Sequence, residues 1–135
     1  ACPISCRRRW GMGRPGDLLL VFATYWLLGG KPHEADAKLA QKRMGHACEW
    51  ETSMMLRLAP HLVGDLSKVD PVEFGSPFEP ASRGWVTQDR SPAGHIGDPR
   101  SATAEKGELI FHTFADDVVN MLQRVIRWDG RSWSG

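Results

Sequence analysis

A chain of 135 residues with 17 basic and 16 acidic side chains, formal charge +1, is the size of one ordinary domain and carries no charge bias. That balance excludes nucleic acid, an anionic membrane surface or an acidic partner as a ligand chosen by net charge. The longest nearly uninterrupted apolar stretch, Leu18 to Leu28, is well short of the ~20 residues that cross a bilayer, so no membrane partner is expected.

The three cysteines, Cys2, Cys6 and Cys48, are odd in number and include no CxxC. They support neither a disulfide framework nor a four-cysteine zinc site, and a reducing cytoplasm is the expected location. Residues 1–16 have no usable period and many breakers, and are expected to be an irregular extension. Arg7-Arg8-Arg9 precedes an apolar run as in a signal peptide, but Gly11, Gly13, Pro15 and Gly16 separate the two. A start at Ala1 rather than Met suggests a processed or truncated sequence.

From Leu18 to Trp26 the run LLLVFATYW is continuously apolar and rich in β-branched and aromatic residues. It predicts a strand buried on both faces, the kind α/β sheets use. Gly29-Gly30-Lys31-Pro32 ends it, and residues 33–43 are good helix formers with little apolar bulk, a short exposed helix or lid. In the next segment Ala47, Trp50, Met54, Met55 and Leu58 recur at steps of three and four, which predicts an amphipathic helix from Ala47 to Ala59, closed by Pro60.

Between His61 and Pro99 prolines and glycines recur, with brief β-like pieces at Val69 to Phe74 and Trp85 to Thr87. This reads as a long ordered connection. Asp98-Pro99 then offers an acidic cap and a proline at the first helical position, with Ser101 as a competing cap. Ile110, Phe114, Val118, Met121, Val125 and their neighbours keep helical spacing to Trp128. Gly107 inside that helix costs ~1 kcal/mol against alanine, which makes sense where another backbone or subunit packs closely. Glu105 with Lys106 reads as a surface pair.

His46 stands just before the amphipathic helix that carries Glu51. The positive end of the helix macrodipole disfavours imidazolium, and a neutral ring can accept a proton and pass it on. The same dipole favours the Glu51 carboxylate, which could orient His46 or hold a substrate amine. Spacing alone also fits a capping histidine and a surface glutamate. The His46–Glu51 interval is not the HExxH of a zinc helix, and His33, His61, His95 and His112 are scattered singly. No metal site is expected from the residues themselves. Tyr25 and Trp26 could line a pocket or pack in a core.

Two ordered strings carry a resemblance. Residues 45–63, GHACEWETSMMLRLAPHLV, are similar to the creatininase-family pattern Gly-His-Ala-Gly, two variable positions, then Glu-Thr-Ser and an apolar helix. Residues 94–108, GHIGDPRSATAEKGE, resemble its Gly-x-x-Gly-Asp-Pro, Ala-Thr-Ala-Glu-Lys-Gly segment. The resemblance covers roughly residues 17–128, with 129–135 as a tail. It implies the C-terminal portion of a three-layer α/β/α sandwich in which a binuclear zinc or manganese centre activates water against an amide or cyclic C–N bond. It also implies a small-molecule substrate and a homo-oligomer, a hexamer in the family.

Carried over by position, His46 matches the proton-shuttling, substrate-contacting histidine and Glu51 the glutamate of the Glu-Thr-Ser element. Trp26 and Trp50 are expected to contact substrate with His46. The family's metal ligands, in Glu-x-His, Asp and His-x-Glu segments, have no match in residues 1–45, so no metal is expected in this chain alone. Lys42-Arg43 stand where true creatinine hydrolases have Trp-Asp, and Cys48 replaces the usual glycine. Formamides, peptides and keto-inositols are the other substrates of the family. The alternative expectation is a non-catalytic remnant or interaction module.

Overall fold

The computed structural model describes residues 4–7, 18–75, 81 and 84–129. The chain divides into two compact units, residues 1–30 with 114–135, and residues 31–113. Most of the regular structure among the described residues is helical.

In the first unit β1 (Ile4–Arg7) pairs antiparallel with β2 (Leu18–Val21), in the register Ile4↔Val21 to Arg7↔Leu18. A strand at Ile4–Arg7 departs from the irregular extension expected there; the rest of that extension, and the tail beyond Asp129, lie outside the described residues. The long strand expected over Leu18 to Trp26 is shorter. It stops at Val21, and a 3-10 turn occupies Tyr25–Leu27. Nor is it buried on both faces, since Leu20 and Phe22 are 67% and 70% exposed. Continuous hydrophobicity marks an apolar segment, but it does not say what covers it. The Tyr25 ring meets Trp26 and Phe114 edge-on, at 4.9 and 5.4 Å, and Gly30 N–H donates to Asp117 Oδ2 at 2.6 Å.

The second unit starts with α1 (Pro32–Ala35), a single turn and far shorter than the helix expected over 33–43. Then come α2 (Glu49–Leu58) and, after a long connection, α3 (Ala104–Arg127), whose first ten residues belong here and whose remainder belongs to the first unit. The connection is ordered by 3-10 turns at Pro60–Leu62, Leu66–Lys68 and Thr87–Asp89, so the β-like piece Trp85 to Thr87 is not a strand. The piece at Val69 to Phe74 contributes one residue to pairing, Val72 opposite Gly97.

Leu39, Cys48, Trp50, Ile96, Ala102 and Ile110 form the core of this unit. Asp98 caps a 3-10 turn, Pro99–Ser101, by accepting from Arg100 N–H. The cap of α3 falls later, where Thr103 Oγ1 accepts from Lys106 N–H at 3.2 Å. Helix α3 packs on α2 at Gly107: a Cβ there would lie 2.0 Å from the Ser53 carbonyl oxygen. That approach supplies the reason expected for the glycine.

Candidate functional site

The loop that carries His46 is fixed by backbone pairing. His46 and Ile96 exchange N–H···O bonds of 3.0 and 2.7 Å, and Gly97 does the same with Val72. Both glycines flanking this arrangement are required by space, because a Cβ on Gly45 would lie 2.1 Å from Ile96 O and one on Gly97 2.8 Å from Cys48 Cβ. The chain then turns into α2 through Ala47, whose φ of 45° lies in the left-handed region. For a residue with a Cβ that conformation costs about 1–2 kcal/mol. Thr52 Oγ1 donates to Ala47 O at 3.3 Å and ties the turn to the first turn of the helix.

The Glu-Thr-Ser element divides its work by direction. Thr52 secures the turn. Ser53, fully buried, accepts Thr103 N–H on its hydroxyl at 3.2 Å and lies against Gly107. Glu51 faces a cavity of about 500 Å³ that is also lined by His46, Thr52 and His95, with Met55, Leu62 and Val69 among its apolar residues. Its Oε2 is buried and has no hydrogen-bond partner among the described residues, an arrangement that costs roughly 1–3 kcal/mol if nothing occupies the site.

A polar network surrounds the start of α2. Cys48 at the N-cap makes no side-chain cap bond, and Gln41 supplies one from outside the helix. Its Oε1 accepts Glu49 N–H at 2.8 Å and Asp98 N–H at 2.9 Å. Glu49, fully buried, accepts from the N–H groups of Ala40 and Gln41 and from Lys106 Nζ at 2.6 Å. Lys106 thus pairs inward with Glu49 rather than on the surface with Glu105, and it also donates to Ser101 O.

Of the residues singled out in the sequence, His46 and Glu51 share the cavity. Trp50 is not among its lining: the side chain is 3% exposed, and its indole N–H donates to Gln41 O at 3.2 Å, with the His33 ring stacked at 6.1 Å. Trp26 is not among the lining residues either and lies in the 3-10 turn of the first unit. His95, given no role by spacing, does line the cavity. It is 6% exposed and its Nε2 lies 2.7 Å from Asp70 O. Arg43, where true creatinine hydrolases are expected to have Trp-Asp, stacks over Phe74 at 4.6 Å.

No group of three or more His, Cys, Asp or Glu side chains among the described residues could hold a metal ion. The orphaned Glu51 oxygen therefore belongs to no such group among the described residues, and the donor set does not fit the binuclear centre that the family resemblance implies.

An imidazole at a helix start and a carboxylate in its first turn, sharing one cavity, form a site that can move protons on a bound ligand. The chain belongs to the creatininase family: the family description "Creatininase: Creatinine amidohydrolase" matches residues 5–122. The chain is also similar to the mycofactocin precursor peptide peptidase of Mycobacterium ulcerans (strain Agy99), 36% identical over 85 residues that cover 62% of this chain and 32% of that protein. It spans about a third of the length of that curated relative. No solved structure matches.

Proposed function

We infer that the chain is the C-terminal portion of a creatininase-family hydrolase, acting on an amide or cyclic C–N bond of a small molecule or peptide. The observation that carries this reading is the shared cavity of His46 and Glu51, the two residues matched to the family's catalytic pattern. His46, solvent-exposed and held by its backbone pair with Ile96, receives a proton from the attacking water and returns it to the leaving nitrogen. Glu51 holds the substrate beside it. The metal ligands, and the remaining strands of an α/β/α sandwich, come from chain beyond these residues, in keeping with the third of the relative's length that is matched. Exposed Leu20, Phe22, Leu27 and Val119 are the apolar groups that a second copy would cover in a homo-oligomer.

The test uses the complete protein that contains this chain, supplied with zinc or manganese and assayed on cyclic amides, formamides, keto-inositols and short peptides. His46→Asn should lower kcat by roughly 10²–10⁴ while the thermal midpoint stays nearly unchanged. Wild-type turnover in His46→Asn would return His46 to a purely structural role. No turnover of any substrate by the metal-loaded wild type would favour a non-catalytic module.

A further inference from the structure

The fixed charge of the cavity is one-sided. Its polar lining consists of His46, Glu51, Thr52 and His95, and among the described residues neither lysine nor arginine lines it. Glu51 brings a buried oxygen, Oε2, with no partner among the described residues, and an ionised carboxylate can only accept. His95 Nε2 sits 2.7 Å from the carbonyl oxygen of Asp70. A carbonyl also only accepts, so Nε2 carries the proton and Nδ1 of the neutral ring is left as an acceptor. The Thr52 hydroxyl spends its proton on Ala47 O, which leaves lone pairs. The rest of the lining is largely hydrocarbon, from Met55, Leu62, Val63, Leu66 and Val69.

We propose that this cavity is a subsite for an organic cation: an ammonium or amidinium group on a short hydrocarbon, with the Glu51 carboxylate as counter-charge and His95 as second acceptor. An ammonium has three N–H donors and an amidinium a planar pair of them, and bonds from either to a carboxylate are charge-assisted. The hydrocarbon is covered by the apolar lining. A carboxylate or phosphate on the same hydrocarbon would meet the Glu51 charge and find no fixed cation among the described lining residues. The cation is a substrate group only if the hydrolase reading above holds; its binding does not depend on turnover.

The experiment titrates the full chain by NMR with n-butylammonium, pentanamidine and pentanoate, at a pH where imidazole is neutral. Both cations should bind saturably and shift the Glu51 and His95 resonances, and pentanoate should do neither. Glu51→Gln and His95→Phe should each weaken cation binding roughly ten-fold or more, as loss of a charge-assisted bond does. Equal binding of pentanoate, no saturable cation binding, or wild-type affinity in both variants would overturn the proposal. The wild-type comparison of cation with anion stands even if a variant fails to fold. Cation binding without hydrolysis by the complete protein sinks the hydrolase reading alone, whereas hydrolysis without cation binding sinks this one alone.

Discussion

Gln41 and Glu49 close on each other's backbone: Gln41 N–H donates to Glu49 Oε2 at 2.7 Å, and Glu49 N–H donates to Gln41 Oε1 at 2.8 Å. The exchange does for α2 what a capping box does within one turn, but from eight residues upstream. Because Gln41 also takes Asp98 N–H and Glu49 also takes Lys106 Nζ, the pair joins the start of α2 to both segments that flank the His46–Ile96 bridge.

Lys106→Met removes the counter-charge of a fully buried carboxylate. Urea denaturation should show a loss of about 3–5 kcal/mol, the range for breaking a buried pair from one side. The double variant Glu49→Gln with Lys106→Met should recover at least half of it, since the amide oxygen still accepts a backbone N–H and no charge is stranded. A single variant that unfolds at the wild-type urea midpoint would mean that the pair is solvated in solution.

Gly107→Ala sets a methyl group against the Ser53 carbonyl, with Arg57 Cβ 3.1 Å away. Although alanine is the better helix former, the crowding should dominate and lower stability by about 1–3 kcal/mol. A rise in the thermal midpoint would show that α2 and α3 are less closely apposed than these distances require.

Ala47→Gly should act in the opposite direction. Glycine relieves the left-handed strain at φ 45°, and against its greater unfolded-state entropy a net gain of about 0.5–1 kcal/mol is expected. Equal or lower stability would indicate that Ala47 leaves that conformation in solution.

The Glu108 carboxyl is held below its usual value of 4.5, first by the hydrogen bond from Arg57, then by that from His112. A depressed carboxyl pKa contributes stability that is present above the unfolded-state value and is lost as pH falls through the folded one. The contribution therefore disappears below about pH 4.5. Glu108→Gln should flatten the decline of stability across that acid window and change little at neutral pH, where an exposed pair contributes little. An identical acid slope in the variant would remove Glu108 from the account.

Helical periodicity located α2 to within two residues and placed most of α3, because an amphipathic stripe is a local property of the sequence. Gly107 was legible for the same reason: a glycine in a helix interior has a local cost that needs an explanation. The resemblance in two strings brought out His46 and Glu51. Other features depend on partners distant in sequence. The indole of Trp50 is fixed by Gln41 O, the ammonium of Lys106 by Glu49 across 57 positions, and the tautomer of His95 by Asp70 O. None of these leaves a mark in local spacing. The strand at Ile4–Arg7 is likewise defined by its pairing with β2 rather than by its own composition.

Glu51, Thr52 and Ser53 each serve a different structure: a cavity, a turn and a neighbouring helix. One residue inserted or deleted between Cys48 and Glu51 would rotate all three by about 100° around the axis of α2. Cavity, turn and helix contact would then fail together. The three positions should tolerate exchange of side chains far better than change of length, so variation within α2 should be confined to substitution.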